Sequence, residues 1–337
     1  MWLEKSEVYM ADISKILVVG YGSMGRRRIR LTKDLLPDVS FVCVDTNSDR
    51  QKQAQEAGHS VYASIDDGIM EHPDAAFVCT SPGHHADIII PLLNAGIHVF
   101  TELNLTSDRY EEISEISGKK NSVVFLSSTL VYKKQMQFFK NTVSKQRKPI
   151  AYIYHVGQYL PDWHPWESYK DFFAGHKEKN GVRELMAIQL PWIIDTFGTI
   201  SSVKTIKQRC TNLEIDFADS IILTIAHDNG NIGTFLVDIV SRTATTHLEI
   251  IGEDTHVVWD GHNNDLFSLN LETKEMEPVV VYEAEEHIEG YSDNIAEQPY
   301  RDEISEFFKV IDGIEVRYGI AEDTEVLKII DEIEDIH

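Results

Sequence analysis

Hydrophobic positions change texture about halfway along the chain. Up to residue 130, short and nearly continuous Val/Ile/Phe runs at 16–20, 41–45, 75–81, 98–102 and 123–127 alternate with helically spaced stretches at 24–36, 49–57, 84–95 and 107–117. A run that is apolar on both sides of the backbone suits a strand covered on both faces, as in a parallel sheet. Regular alternation of such strands with helices predicts right-handed crossovers and a doubly wound α/β sheet.

A basic helical segment follows at 132–148, carrying Lys133 and Lys134 at its start. From Ile150 the apolar runs lengthen and alternate with polar residues. Turn signals such as Asp228-Asn229-Gly230 and Gly252-Glu253-Asp254 join them, and this is the pattern of hairpins with one face packed and one face open. One helical stretch, from Arg183 to about Phe197, interrupts the strands. Acidic helices are expected at 301–311 and 323–333. The division predicted is therefore 1–130, a connecting helix at 131–148, and a mostly antiparallel α+β domain at 149–337. The Glu-rich stretch 283–289 reads as a solvated turn, and no internal repeat or low-complexity tract is found.

Composition narrows the function classes. Of 337 residues, 31 are Lys or Arg and 55 are Asp or Glu, a formal charge of −24. Such a balance argues against the nucleic-acid backbone or an anionic membrane as partner, although the run Arg26-Arg27-Arg28 leaves room for a local basic pocket. Three cysteines, two of them inside apolar runs, suit a reduced chain without a disulfide framework. The start Met1-Trp2-Leu3-Glu4-Lys5 lacks the pattern of a signal peptide, and no apolar run is long enough to span a bilayer. A soluble cytoplasmic protein is expected. With no His-Glu-x-x-His or Cys-x-x-Cys and 14 scattered histidines, no metal site is expected. There is no Gly-x-Ser-x-Gly elbow either.

The strongest chemical signal is Lys15-Ile16-Leu17-Val18-Val19-Gly20-Tyr21-Gly22-Ser23-Met24-Gly25-Arg26, a strand running through Gly-x-Gly-x-x-Gly into a helix. Gly20 permits the tight turn, Gly22 lets backbone approach a pyrophosphate, and Gly25 lets helix pack on strand. The helix N-terminus offers free N–H groups to the phosphates. Asp45 lies 20 residues after Gly25, at the end of the next strand, where a carboxylate accepts hydrogen bonds from the adenosine ribose and repels a 2′-phosphate. NAD is the expected cofactor; Arg26 and Arg50 could offset that charge, which keeps NADP open. Gly20, Tyr21, Gly22, Ser23, Met24, Gly25 and Asp45 are the first cofactor-binding candidates. Thr80, Ser81, Pro82 and His85 in Thr80-Ser81-Pro82-Gly83-His84-His85, with Glu102 at the end of the following strand, lie at the same carboxyl edge and complete the set. The two histidines equally suit the opening of a helix.

These landmarks, with Leu93-Asn94-Ala95-Gly96-Ile97-His98-Val99-Phe100-Thr101-Glu102 and the late stretch Tyr300-Arg301-Asp302-Glu303-Ile304-Ser305-Glu306-Phe307-Phe308, resemble the glucose–fructose oxidoreductase/inositol dehydrogenase family over nearly the whole chain. The resemblance implies an α/β Rossmann domain plus an α+β domain with a large, mostly antiparallel open sheet. It also implies NAD(P)-dependent oxidation or reduction of a sugar, cyclitol or sugar derivative, and a homo-oligomer, dimer or tetramer, formed through the second-domain sheet. Two departures stand out. Where the family has Glu-Lys-Pro, this chain has Glu102-Leu103-Asn104; where a helix carries Asp, then His, then Asp, this chain offers Glu184, Ile188 and Pro191. The usual catalytic Lys and His are thus replaced.

Alcohol oxidation still needs a group to accept the hydroxyl proton. The segment Gly157-Gln158-Tyr159-Leu160-Pro161-Asp162-Trp163-His164-Pro165-Trp166-Glu167-Ser168-Tyr169 reads either as a substrate-binding lid or as an aromatic plug. Its aromatic faces suit sugar C–H surfaces and its polar groups suit hydroxyls. Glu184, His164 and Tyr159 are the catalytic candidates; Asp162, Trp163, Trp166 and Arg183 are the substrate-binding ones. One of Lys133 and Lys134 could supply the missing ammonium, although both also suit a solvated surface. Chains with such a loop beside Thr-Glu-x-Asn-Leu resemble a branch found with bacterial surface-sugar biosynthesis. The competing expectation is a catalytically silent NAD(H)-binding sensor or accessory subunit.

Overall fold

The computed structural model describes residues 13–164, 167–262, 264–282 and 297–335. Contacts gather these into two units: the chain up to Thr129 with Tyr300–Glu325, and Leu130–Pro299 with the chain from Val326 onward.

In the first unit, strands β1 (Lys15–Val19), β2 (Ser40–Val44), β3 (Ser60–Tyr62), β4 (Ala75–Val78), β5 (His98–Thr101) and β6 (Val124–Leu126) form one parallel sheet in the order β3-β2-β1-β4-β5-β6. This is the doubly wound order, with its reversal between β1 and β4. Helices α1 (Ser23–Leu35), α2 (Ser48–Glu56), α3 (Ile65–Ile69), α4 (His85–Asn94) and α5 (Tyr110–Lys120) make the crossovers. Every residue of β4 is buried, as are all but the first of β1 and β2, which explains their unbroken apolar runs. The three-residue edge strand β3 and the five-residue α3 are too short to leave a periodic signal.

The second unit contains α6 (Lys134–Ser144), β7 (Ala151–Gly157), α7 (Gly181–Phe197), β8 (Ile200–Gln208), β9 (Ser220–His227), β10 (Ile232–Asp238), β11 (Thr245–Gly252), β12 (Thr255–Trp259), β13 (Leu266–Leu269) and β14 (Met276–Pro278). The eight strands run in the order β14-β13-β12-β11-β7-β10-β9-β8. All neighbours are antiparallel except β7 and β10. The β9–β10 turn uses Gly230 at φ +88°, and Gly252 pairs with Thr255 across a two-residue turn. Along β9 and β10 burial alternates residue by residue. The inner face packs Tyr152, Tyr154, Phe235 and Trp259 with Trp192 and Phe197 of α7 and Phe139 of α6.

Two helices close the chain, α8 (Gln298–Ile311) and α9 (Ile320–Glu334). The sequence reading assigns both to the second domain. In the structure Phe307 of α8 sits in a ring cluster with Phe77, Phe100 and Phe125 of the first sheet, at centroid distances of 6.1, 5.6 and 5.8 Å. Residues 300–325 accordingly group with the first unit, because an apolar helix stripe packs where an aromatic surface awaits it and sequence order places no constraint on that choice.

Candidate active site

The glycine turn follows β1, and each of its glycines has a different physical reason. Gly20 has φ +97°, and a Cβ there would lie 2.7 Å from the Cys79 carbonyl oxygen. At Gly25 a Cβ would overlap the Gly20 carbonyl oxygen; at Gly22 it would meet only Arg50 Cζ, at 4.0 Å. Gly20 and Gly25 are therefore required by the chain's own packing. Gly22 faces open space, as a backbone that must admit a phosphate does. It is the N-cap of α1, with no side-chain cap and no acidic residue in the first turn, so the helix N–H groups remain available to an anion.

Asp45, buried just beyond β2, accepts hydrogen bonds from Tyr21 N (2.8 Å, Oδ2) and Asn47 N (2.9 Å, Oδ1). A carboxylate has about four acceptor positions; the remaining two are what a vicinal diol needs. Arg50 lies 3.9 Å from Oδ2. Ser23 and Ser81 are exposed, and Met24, Thr80 and Pro82 are half-buried. The Met24 sulfur takes an N–H from Arg27 at 3.3 Å. These residues and the glycine turn all sit at the carboxyl edge of the parallel sheet.

Two of the expected cofactor ligands are engaged inside the protein instead. His85 is buried, with Nε2 2.9 Å from the Thr80 carbonyl and Nδ1 2.6 Å from the Asn104 side chain. Both ring nitrogens are taken up in holding the β4–α4 turn to the segment after β5. Glu102 accepts two hydrogen bonds from Arg28, at 2.6 and 3.1 Å. Arg28 also lies 2.9 Å from Glu303 of α8 and stacks over Phe100 at 4.3 Å. Burial works against the Arg28 charge, but Glu102 and Glu303 outweigh it and hold the guanidinium above its ordinary range. Burial pushes the Glu303 carboxyl up, against the pull of Arg28. This triad went unnoticed in the sequence; its one signal was the Arg26-Arg27-Arg28 run. That run is not a single basic pocket, since Arg26 is exposed, Arg27 stacks on Tyr300 at 4.6 Å, and Arg28 is buried.

In the second unit, the segment after β7 is tied to the segment after β10. Tyr159 N donates to the Ser241 carbonyl (2.7 Å) and Leu160 N to that of Ile239 (3.1 Å). Asp238 anchors this junction, accepting from His155, Val240 N and Ser241 N at 2.7, 2.9 and 2.7 Å. The Tyr159 ring lies under the Arg242 guanidinium at 4.0 Å. Trp163 donates its indole N–H to the Gln158 carbonyl (3.0 Å), and His164 pairs with Glu167 at 2.6 Å. Asp162 is exposed. Trp166 lies outside the described residues, as does the Glu-rich stretch 283–289.

Arg183 and Glu184, adjacent in the first turn of α7, have opposite fates. Arg183 is buried and paired with Glu334 (2.5 Å) and Asp331 (2.6 Å) of α9. The sequence reading offers this arginine to a substrate; in the structure its fork meets two carboxylates of the chain itself. Glu184 Oε2 is buried with no hydrogen-bond partner, and burial pushes its carboxyl up to about 7. A carboxyl near neutrality can both take and return a proton. Lys133, immediately before α6, is desolvated until its ammonium falls to about 8, whereas Lys134 is exposed. Among the described residues, no group of three His, Cys, Asp or Glu is placed to hold a metal ion. No helix there is long and apolar enough to cross a membrane.

A parallel sheet in this strand order, with an open glycine, a bare helix N-terminus and a buried carboxylate on one edge, has the form of a dinucleotide-binding domain. Residues 14–127 match the family GFO_IDH_MocA, described as "Oxidoreductase family, NAD-binding Rossmann fold". Among curated proteins, the chain is similar to biliverdin reductase A of Mus musculus, 23% identical over 192 residues, covering 56% of this chain and 59% of that protein. The Homo sapiens protein is 24% identical over 199 residues, covering 58% and 62%. The match thus spans less than two thirds of these relatives' length. Three solved structures share the fold of the whole chain. A putative NADPH-dependent oxidoreductase from Desulfitobacterium hafniense has a TM-score of 0.81 at 11% identity, covering 97% of this chain and 96% of its own. Levoglucosan dehydrogenase in complex with NADH has 0.77 at 16%, covering 96% of each. The WlbA dehydrogenase from Bordetella pertussis in complex with NADH and UDP-GlcNAcA has 0.75 at 16%, covering 96% of each.

Proposed function

We propose that this chain moves a hydride between NAD and a hydroxyl-bearing carbon of a sugar, cyclitol or sugar derivative, with Glu184 as the proton carrier. NAD, when bound, supplies the hydride acceptor or donor. Gly22 and the α1 N–H groups would hold its diphosphate and Asp45 its adenosine ribose. In the oxidation direction the substrate loses a hydride from carbon and a proton from oxygen, and Glu184 takes that proton. In reduction it returns one. The observation that carries the reading is the buried, unpartnered Glu184 oxygen with its carboxyl near 7. Neither Leu103 nor Ile188 can move a proton, so the role passes to a residue on the same helix face as Ile188. Tyr159 and His164, the other candidates, are stacked under Arg242 and paired with Glu167. The sugar class is supported by the names of two structural neighbours, one a dehydrogenase of levoglucosan and one holding UDP-GlcNAcA. We carry surface-glycan biosynthesis in the reducing cytoplasm as the setting, on the resemblance of the loop and on three free cysteines.

The test incubates the purified protein with NAD and a panel of aldonates, cyclitols and nucleotide sugars while reduced cofactor is followed by absorbance. Glu184→Gln should lower kcat by about 10²–10⁴-fold, the usual contribution of general acid–base catalysis, with NAD binding retained. Turnover untouched by Glu184→Gln would remove Glu184 from the mechanism. A second reading, an NAD(H)-binding protein without chemistry, is favoured by Leu103 and Ile188. Tight NAD binding with no turnover on any panel member would select it.

We also infer that a second copy of the chain covers the open face of the eight-stranded sheet. Ile153, Ile222 and Ile206 stand 47%, 40% and 68% exposed there, with Ile206 paired directly to Ile222.

A further inference from the structure

Residues 133–148 hold six Lys or Arg and no Asp or Glu, in a chain with 55 acidic and 31 basic residues. The end of that stretch borders a cavity of about 420 Å³, a size that suits small-molecule ligands. The cavity lies where the last turns of α6 and α7 meet the β9–β10 turn, and Lys140, Arg147, Lys148, Asp195, Thr196 and Asn231 are among its lining. Its floor is fixed. Asn229 and Asn231 both donate side-chain N–H groups to the Phe197 carbonyl, at 2.8 and 2.9 Å, and Asn231 accepts from Ile150 N at 2.9 Å. Asp195, the carboxylate in the wall, is held by Lys140 at 2.6 Å. The exposed Arg147 and Lys148 therefore set the sign of the opening. Thr196 points to a ligand independently of charge. It is 7% exposed and lines this cavity, yet its hydroxyl meets no hydrogen-bond partner among the described residues. A threonine inside a helix can turn its hydroxyl back to the carbonyl four residues earlier, and this one does not. A hydroxyl shut away from water without a partner is costly; a ligand oxygen in the cavity would satisfy it.

We propose that this cavity is a second binding site, for a small hydroxyl-bearing phosphate ester whose phosphate meets Arg147 and Lys148 and whose hydroxyl meets Thr196. A guanidinium fork matches phosphate oxygens in pairs, and the neighbouring ammonium adds a point charge. The two helix C-termini at the cavity end in carbonyl groups, which take hydrogen bonds and disfavour a bare anion. The ligand must therefore bring hydroxyl donors with its phosphate. The site stands apart from Glu184. Glu184 and Thr196 are 12 residues apart in α7, about 18 Å at the rise of an α-helix. Pro149 and Asn231 also precede the parallel pair β7 and β10, whereas Tyr159 and Asp238 lie at its far end.

Calorimetry on the full chain tests this, with glucose 6-phosphate, glycerol 3-phosphate, inorganic phosphate and glucose as probes. At least one ester should bind with a submillimolar Kd and raise Tm, at least tenfold more tightly than inorganic phosphate, while glucose gives no heat. Arg147→Gln combined with Lys148→Gln should weaken that binding at least tenfold and leave the Tm of the free protein unchanged, since both side chains are exposed. Thr196→Val keeps the shape and removes the hydroxyl. It should weaken ester binding several-fold, leave inorganic phosphate unaffected and, without ligand, melt no lower than wild type. Ester binding that survives the double substitution belongs elsewhere on the chain and overturns the proposal. Equal affinity for inorganic phosphate and both esters would mark a bare anion patch and overturn it too, as would no heat from either ester. None of these readouts uses NAD or turnover, so failure of the proposed hydride transfer leaves the test intact.

Discussion

At the scale of single residues, the glycine turn separates folding from binding. Gly25→Ala drives a methyl into the Gly20 carbonyl and should cost several kcal/mol, as overpacking and backbone displacement do. Gly22→Ala meets nothing closer than 4.0 Å and should stay within about 0.5 kcal/mol of wild type. Urea melts will show that contrast; calorimetry should show at least tenfold weaker NAD binding for Gly22→Ala. Equal NAD affinity in Gly22→Ala and wild type would mean that the diphosphate does not approach this turn. Glu184 makes a second residue-scale prediction. Its folded pKa is raised from about 4.3 to about 7. The native state therefore holds a proton that the unfolded chain has lost, and stability falls as pH rises through that window. Glu184→Gln should thus be more stable than wild type above pH 7 and indistinguishable from it below about pH 4, by thermal melts across pH. In oxidation, activity should climb through about pH 7 as the carboxyl empties, and this limb should vanish in Glu184→Gln.

At the scale of elements, α1, the end of β5 and α8 meet through Arg28. Glu303 also accepts the Ser128 N–H at 2.6 Å, so one buried carboxylate fixes both the guanidinium and the segment after β6. Arg28→Met leaves Glu102 and Glu303 without their counter-charge and should destabilise the first unit by about 3–5 kcal/mol, the usual cost of breaking a buried ion pair from one side. Glu303→Gln should cost less, since burial already pushes that carboxyl toward its neutral form. A chemical-denaturation series on the two variants checks the order; Glu303→Gln proving the more damaging would show that Glu303 is held fully charged. His85 acts at the same scale: a residue legible as a ligand candidate becomes a clamp because Asn104, 19 residues away, closes on its ring.

At the scale of the whole molecule, a net charge of −24 opposes self-association, while the exposed isoleucines of the open sheet favour it. Salt screens the first and leaves the second. Sedimentation should therefore show an oligomer that tightens as NaCl is raised, and Ile222→Lys should release monomers. A wild-type monomer at all salt concentrations would refute the covered sheet face.

Much of the fold was legible because its signals are local. The unbroken runs of β1, β2 and β4 follow from burial on both faces. The alternation in β9 and β10 follows from burial on one, and Asn229-Gly230 from the backbone geometry of a tight turn. The same holds for the cofactor edge, where Gly20, Gly22, Gly25 and Asp45 lie within 26 residues of one another. What stayed hidden depends on residues far apart in the chain. Arg28 meets Glu303 across 275 positions, and Arg183 meets Glu334 across 151. Solvation is equally non-local: Glu184 carries an ordinary carboxyl, and only the packing around it buries one oxygen without a partner and raises its hold on a proton. By itself the sequence determined where the backbone turns, which faces are apolar and that a glycine turn and a carboxylate share one sheet edge, because those follow from chain geometry and periodicity. The tertiary structure alone decided which charged groups are neutralised inside the protein and which are not, because that depends on what distant segments bring within a few ångströms.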